Sequence, residues 1–280
     1  MKKDIKYKLG QCIYLTALLF ILTGVFGNTF PVSVKAAVTD KDNGWVQESS
    51  GDRYYYKNGK IAKNQLLVLG KNIYYVDKNG KCYTGWKTVK GKTYYFDKDG
   101  RAHKGWLSEK DTWYYFNEQS CYLYKDILLV SGSGKIYIFD KDGKRYTGWC
   151  EYKGKKYYIG GNGYALMGLY KIGDKYYCFD SKSGYLYTDK LVTMNSGNIY
   201  YFDENGVRVS NCWVSVKSGG KTTKYYFQSD GTAKKGWMKW DGKWYYLHKK
   251  TGAMYRNTTI TTSAGKKYIF DSNGVCTNKK

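Results

Sequence analysis

Proline and histidine are almost absent from this chain. Its 280 residues contain one proline, Pro31, and two histidines, His103 and His248, which lie far apart in the sequence. With no close Cys-x-x-Cys pair either, a zinc site of cysteines and histidines has no support, and neither has a histidine-activated serine or cysteine nucleophile. The scattered glutamates offer no evident pair of carboxylates for hydrolysis. We therefore expect no enzymatic activity, no metal and no cofactor.

Long apolar runs are also absent, with one exception near the start. Residues 12–27 read CIYLTALLFILTGVFG, after a basic stretch and before Val34-Lys35-Ala36. This order predicts a secretory signal peptide over residues 1–36, cleaved after Ala36. An uncleaved membrane anchor is the alternative, although true spans need about 20 apolar residues. Residues 37–43 then form a short segment before the rest of the chain.

Acidic residues are outnumbered two to one. The 47 lysines and arginines against 23 acids give a net charge of +24, which falls to +20 when the five lysines and one aspartate of residues 1–36 are removed. Such a chain is attracted to polyanions: teichoic acids, acidic glycans, anionic lipid or nucleic acid. The alternative is a solvated positive surface that keeps an aromatic-rich protein soluble.

Cysteine is present without a regular spacing. Beyond Cys12 in the signal there are six: Cys82, Cys121, Cys150, Cys178, Cys212 and Cys276. An even number in a secreted chain permits disulfides. However, Cys82 and Cys276 each stand two residues after a turn glycine, where Met254 stands in another part of the chain. That position indicates a small apolar packing role, so we favour unpaired thiols.

What the chain has in abundance is tyrosine and glycine, 33 of each, and the tyrosines are periodic. Aromatic doublets or their equivalents recur every 20 to 25 residues, eleven times, beginning at Tyr54, Tyr74, Tyr94, Tyr114, Tyr137, Tyr157, Tyr177, Tyr200, Tyr225, Tyr245 and Tyr268. An apolar marker stands before each doublet, usually by eight residues: Trp45, Leu66, Trp86, Trp106, Ile127, Trp149, Leu169, Leu191, Trp213, Trp237 and Ile260. The repeats fill residues 44–280 and leave no room for another domain.

Each repeat reads as an apolar strand, a short basic turn, an aromatic strand and a second turn such as Asp-Lys-Asn-Gly at 77–80. Asn-Gly and Asp-Gly tolerate positive φ and are strong turn signals. An isolated hairpin of two short strands is marginal in water, so the hairpins must stack on one another. The sequence predicts an all-β solenoid of about eleven stacked hairpins. The Asp-Lys-Asp-Gly at 97–100 begins like a calcium loop, but the later ligands are missing, which leaves a turn.

The repeat GWKTVKGKTYYFDKDGRAHKGW at 85–106 resembles the Gram-positive cell-wall-binding repeat family. That family includes choline-binding modules, glucan-binding repeats of glucosyltransferases and the repeats of large clostridial toxins. The resemblance covers the chain beyond the signal almost end to end. It is specific for the family and much weaker for the ligand.

In choline-binding modules the resemblance implies an aromatic cage between consecutive hairpins, and π faces attract a desolvated cation. Two repeats keep both tryptophans of such a cage, and a tyrosine of the next repeat would close each one. The candidate ligand-binding residues are Trp106, Trp113 and Tyr137, and Trp237, Trp244 and Tyr268. Tyr176 precedes a doublet in a third repeat, but Leu169 weakens that copy. Elsewhere the cage loses a wall, often to a lysine, which shifts the expectation toward sugars or anionic polymers.

Packing is the alternative role for any one of these aromatic residues. Leucine or isoleucine replaces tryptophan at five of the eleven marker positions, so plain apolar burial suffices there. With one proline and no apolar tail, the chain offers no sorting motif for covalent wall attachment, and we expect retention through the repeats.

The sequence thus predicts a secreted, non-catalytic protein at the cell surface. Its partner would be a teichoic acid, a choline-substituted wall or a glucan, bound through many weak sites. Alternatives are a toxin-type module for host glycans and a structural spacer or assembly solenoid. We expect no nucleic-acid partner and no membrane contact after signal cleavage, and the oligomeric state stays open.

Overall fold

The computed structural model describes residues 43–279, and this part of the chain contains strands and turns but no helix. The predicted signal peptide, 1–36, and residues 37–42 lie outside the described residues. No helix within 43–279 has the length and hydropathy to cross a membrane. The strands are β1 (Gly44–Gln47), β2 (Arg53–Lys57), β3 (Lys60–Ile61), β4 (Gln65–Leu69), β5 (Asn72–Val76), β6 (Gly85–Val89), β7 (Lys92–Phe96), β8 (Gly105–Glu109), β9 (Thr112–Phe116), β10 (Ile127–Val130), β11 (Ile136–Phe139), β12 (Gly148–Tyr152), β13 (Lys155–Ile159), β14 (Gly168–Ile172), β15 (Lys175–Phe179), β16 (Lys190–Thr193), β17 (Ile199–Phe202), β18 (Cys212–Ser218), β19 (Lys221–Phe227), β20 (Gly236–Trp240), β21 (Lys243–Leu247), β22 (Thr258–Thr261) and β23 (Lys267–Phe270).

These strands form eleven small antiparallel sheets in the described part of the chain, one for each aromatic doublet. Ten are two-stranded hairpins, and the first, β1-β2-β3, has a third short strand. In nine of the eleven hairpins the marker lies opposite the second residue of the doublet, as Trp86 lies opposite Tyr95. The markers predicted in the other two are displaced by one residue, since Leu128 lies opposite Ile138 and Thr259 lies opposite Ile269. The prediction of an all-β solenoid of eleven hairpins is confirmed.

In seven of the eleven hairpins the short turn between the two strands has two residues, and in the other four it has five. In β6-β7, Lys90 and Gly91 both have positive φ, 50° and 75°. Two consecutive positive φ values are typical of the type I′ turn, whose twist matches that of the flanking strands. The positive φ at the second position of this turn therefore explains why a glycine, Gly91, stands there.

The second turn, after the aromatic strand, has a different role from the first. At residues 77–80 the Asp77 carboxylate accepts hydrogen bonds from the backbone N–H groups of Asn79 and Lys81, at 2.8 and 2.9 Å. The chain then pairs with the hairpin through one residue, since Cys82 forms a single bridge with Val76. The turn signal was predicted, but it leads into a one-residue bridge instead of a full strand.

This bridged residue, here called the connecting residue, links each hairpin to the one before it. Its N–H donates to the carbonyl of the residue that immediately precedes the doublet of the previous hairpin, here called the wall residue. For Arg145 and Trp113 the N···O distance is 2.9 Å. The connecting residues are Cys82, Ala102, Leu123, Arg145, Ala165, Leu186, Arg208, Ala233, Met254 and Cys276, and their wall residues are Arg53, Ile73, Thr93, Trp113, Ile136, Lys156, Tyr176, Ile199, Lys224 and Trp244.

The core is a column of apolar side chains that runs from hairpin to hairpin. It consists of the residue that follows each doublet, on the same strand face as the first tyrosine, because side chains alternate along a strand. Ten of these side chains are at most 2% exposed: Val76, Phe96, Phe116, Phe139, Ile159, Phe179, Phe202, Phe227, Leu247 and Phe270. Each hairpin thus covers the apolar face of its neighbour.

The six cysteines of residues 43–279 are unpaired. Cys121, Cys178 and Cys276 are buried, and Cys276 is a connecting residue. The thiols therefore pack as small apolar groups, in the role that the sequence favoured for Cys82 and Cys276.

The buried column predicts the effect of truncating one member. Phe116→Ala removes a side chain with 0% exposure and should lower the free energy of unfolding by about 3–5 kcal/mol through lost burial and a residual cavity. Urea unfolding followed by tryptophan fluorescence measures the change. Val68→Ala is the matched control, since Val68 is 70% exposed and its loss should cost less than about 0.5 kcal/mol. Equal effects of the two substitutions would contradict the column as the core.

Candidate functional site

A ladder of tryptophan–tyrosine contacts follows the stack of hairpins. Each marker tryptophan meets the first doublet tyrosine of the next hairpin, with ring centroids between 4.7 and 5.2 Å apart. All six marker tryptophans make this contact, in the pairs Trp45–Tyr74, Trp86–Tyr114, Trp106–Tyr137, Trp149–Tyr177, Trp213–Tyr245 and Trp237–Tyr268. The rings meet steeply, in the geometry that aromatic quadrupoles prefer.

The structure brings together the three residues of the first predicted cage. Trp106 lies 6.1 Å from Trp113 at an interplanar angle of 80°, and 4.9 Å from Tyr137 at 64°. Trp113 is 39% exposed, so the cage opens to solvent on that side. A cation already lies over these rings: the guanidinium carbon of Arg145 is 5.8 Å from Trp106 and 5.5 Å from Trp113.

The second predicted cage has the same geometry. Trp237 lies 6.2 Å from Trp244 at 89°, and 4.7 Å from Tyr268 at 68°. Its three rings also surround a cation, since Nζ of Lys279 is 4.9 Å from Trp237, 4.4 Å from Trp244 and 5.9 Å from Tyr268. The arrangement can therefore hold an ammonium group, and in this structure the group comes from the chain itself.

A third cage lies in the repeat of Leu169 and Tyr176, where the sequence predicts a weakened site. Tyr176 and Tyr200 meet the guanidinium of Arg208, at 3.9 and 5.5 Å from its carbon. The three cations, Arg145, Arg208 and Lys279, are not among the binding residues predicted from the sequence. A signal existed for the arginines, because each stands where most repeats carry a small or apolar connecting residue.

Three of the six tryptophan–tyrosine pairs have no cation of residues 43–279 over their rings, and one of these, Trp149–Tyr177, borders an open groove. Trp149, 43% exposed, and Tyr177 form one wall of a groove of about 360 Å³, which Glu151, Lys156 and Asn205 also line. Glu151 and Lys156 lie opposite each other in the hairpin register. Neither forms a salt bridge within the part of the chain that the structure describes. An aromatic face flanked by free donors and acceptors suits a sugar ring with its hydroxyls.

The side chains that could support catalysis are either hydrogen-bonded within the fold or unreactive at neutral pH. His103 donates from Nε2 to the carbonyl of Trp106 at 2.9 Å, and its Nδ1 lies 3.0 Å from the Asp97 carboxylate. Burial raises the pKa of the Cys150 thiol, beside the open groove, to about 11, so the reactive thiolate is scarce at neutral pH. Within residues 43–279 no three histidine, cysteine or acidic side chains cluster as metal ligands.

Sequence comparison with protein families gives consistent matches. Residues 83–121, 166–213 and 216–258 match the choline-binding repeat, and residues 147–165 match the cell wall binding repeat. Over 97 residues, or 34% of the chain, the sequence is 36% identical to glucosyltransferase-S of Streptococcus mutans. The match spans only 6% of the length of that enzyme.

Solved structures with the same fold come from Streptococcus pneumoniae. CbpJ is 25% identical, with a TM-score of 0.60 over 84% of this chain and 93% of that one. Choline binding protein F is 24% identical, with a TM-score of 0.58 over 85% of this chain and 93% of that one. These structures are similar to the present chain over nearly all of its described hairpins.

The raised pKa of Cys150 predicts its reactivity. At pH 8, iodoacetamide should alkylate Cys150 in the native protein at least about 100-fold more slowly than in urea, because a pKa of about 11 in place of 9.0 lowers the thiolate fraction by that factor. The native rate should rise with pH up to about 11. Peptide mass spectrometry resolves the site, and the unfolded protein is the control. Equal native and unfolded rates would show that the thiol is neither buried nor unreactive.

Proposed function

Because the chain belongs to the Gram-positive cell-wall-binding repeat family, we propose that it is a secreted, non-catalytic protein that binds a repetitive polymer of the cell surface. The polymer is a teichoic acid, with or without choline, or a glucan. The observation that supports this proposal is the ladder of six tryptophan–tyrosine pairs, which repeats an aromatic surface along the solenoid.

A ladder suits a polymer better than it suits a single small ligand. Each pair offers one shallow aromatic surface, and one such surface binds weakly. When one element is bound, the next unit of the same polymer is held near the next pair, so binding there becomes intramolecular. Affinity then grows with the number of pairs engaged, without any single strong site.

The open groove beside Trp149 supports a sugar-containing polymer. The exposed indole ring of Trp149 can stack on the apolar face of a sugar. Glu151 can accept hydrogen bonds from the sugar hydroxyls, and Lys156 and Asn205 can donate them. The surplus of lysines, +20 beyond residue 36, adds attraction for the phosphates of a teichoic acid. A neutral glucan would use the aromatic surfaces alone.

The enzyme among the relatives does not imply an enzyme here. The match to the glucosyltransferase is confined to 97 residues, which are 34% of this chain and only 6% of that protein. The described hairpins assign the histidine and thiol candidates to packing and hydrogen bonding. A binding role accounts for the repeats without a reaction.

A wall pull-down tests this function. The protein should be recovered from the culture medium with the mass expected for a chain that starts at Ala37. This protein should bind purified Gram-positive cell walls or an insoluble glucan. Elution by salt indicates a charged teichoic acid, elution by millimolar choline but not by salt indicates a choline-substituted wall, and elution by soluble glucan indicates a glucan. Failure to bind any wall or glucan fraction, with binding to host glycans on an array, would overturn the proposal. Failure to reach the medium would overturn secretion.

The second cage gives a sharper prediction for choline. The double substitution Trp237→Ala and Trp244→Ala should abolish a choline response, measured as the change in tryptophan fluorescence or heat on titration, because it removes two of three cation-attracting faces. Trp240→Ala is the control, since Trp240 is on the same strand, 42% exposed, and packs on Tyr226 outside the cage. A response that survives the double substitution would reject this cage as the choline site.

A further inference from the structure

Aromatic wall residues and cationic side chains occur together in this solenoid. Three hairpins carry an aromatic wall residue: Trp113, Tyr176 and Trp244. A cation of the chain itself lies over each of them, namely Arg145, Arg208 and Lys279. The three cages in residues 43–279 are therefore all occupied by side chains of the protein itself.

The two arginines hold the same place in their repeats. Both are connecting residues, and the backbone N–H of each donates to the carbonyl of the aromatic wall residue that its side chain covers, Arg145 to Trp113 and Arg208 to Tyr176, both at 2.9 Å. The other eight connecting residues are cysteine, alanine, leucine or methionine. Arginine thus appears at the connecting position only where an aromatic wall faces it.

The turn of the following hairpin leaves room for each guanidinium. A Cβ atom added at Gly163 would overlap the guanidinium of Arg145, and one at Gly231 would overlap the side chain of Arg208. Both arginines are therefore enclosed between the cage and the next turn. In this position the side chain contacts three consecutive hairpins.

Both arginines are half-buried. A carboxylate lies near Arg208, since hydrogen bonds from Thr232 and the charge of Arg208 lower the pKa of Asp230. Neither arginine forms a salt bridge within residues 43–279, and Nε of Arg145 is buried without a hydrogen-bond partner. Burial accordingly lowers the pKa of Arg145, although a guanidinium stays protonated at neutral pH. The favourable partners that remain for Arg145 are the aromatic faces, whose attraction for a cation increases as water is excluded.

We infer that the chain supplies its own ligands: Arg145 and Arg208 are internal occupants that close the Trp106–Trp113–Tyr137 cage and the Tyr176–Tyr200 cage to cations from solution. A side chain tethered beside its cage acts at an effective concentration on the order of millimolar or more, against which a free quaternary ammonium must compete. The inference goes beyond the proposed function, because it states which cages reject such a ligand whatever polymer the protein binds.

Lys279 holds the remaining cage less firmly. Its ammonium, like the two guanidiniums, makes no hydrogen bond or salt bridge in the described part of the chain, and its contacts are the three rings. Unlike the arginines, it has no turn glycine of residues 43–279 packed against it. Its neighbour Asn278 fixes the backbone by donating to the carbonyl of Lys267 at 2.9 Å and accepting from the N–H of Ile269 at 3.0 Å. The lysine side chain itself is free to leave, so this cage is the one where an external cation can exchange.

Opening the first cage by substitution tests the inference. Arg145→Met removes the guanidinium and places a residue that the fold already accepts at the connecting position, as at Met254. Titration with choline chloride in a calorimeter should then show one more binding site per chain than in the unsubstituted protein. The added site should vanish in the double variant Arg145→Met, Trp113→Ala. Leu186→Met is the matched control, since its wall residue is Lys156, and it should add no site.

Two results would overturn the inference. One is a folded Arg145→Met protein, with unchanged circular dichroism, that binds no additional choline. The other is available without that variant: Trp113→Ala in the otherwise natural chain should leave choline stoichiometry unchanged, so a lost site would show that the cage was open. Both readouts use free choline, so they are separate from binding to cell walls and from the outcome of the pull-down.

Discussion

One backbone hydrogen bond, repeated ten times, determines how the hairpins are arranged. It runs from the N–H of each connecting residue to the carbonyl of a wall residue between 29 and 34 residues earlier. A two-stranded hairpin cannot bury its own apolar face, because it has no second layer of side chains to cover it. The hydrogen bond sets the next hairpin over that face, so the phenylalanine column is buried and each marker tryptophan meets a tyrosine of its neighbour. Core and candidate sites therefore follow from the same contact.

The fold was predictable because its signals are local. Doublet, marker and turn all lie within about 20 residues, and each has a direct conformational meaning, such as the positive φ of Gly91 in the hairpin turn. The three-residue cages were also predictable in composition, since Trp106 and Trp113 belong to one hairpin and only Tyr137 comes from the next. Whether these rings bind a ligand stays a prediction.

The occupants of the cages were not predictable in the same way. Arg145 stands 32 residues after Trp113, and Arg208 stands 32 residues after Tyr176. That these pairs meet depends on the angle at which one hairpin covers another, which no single repeat encodes. The column of residues after the doublets was missed for a different reason. Tyrosine and tryptophan dominate the composition, and the ten buried side chains include valine, isoleucine and leucine, which do not stand out as a motif.

Because the connecting hydrogen bond joins only neighbouring hairpins, it also has a consequence for folding during synthesis. A hairpin needs only the hairpin before it to bury its column residue, so structure can form stepwise as the chain emerges, without waiting for distant segments. Repeat number can likewise change by insertion or loss of whole units, since all ten junctions share the same backbone hydrogen bond. The length of the solenoid can therefore change without altering the contacts that stabilise each remaining hairpin.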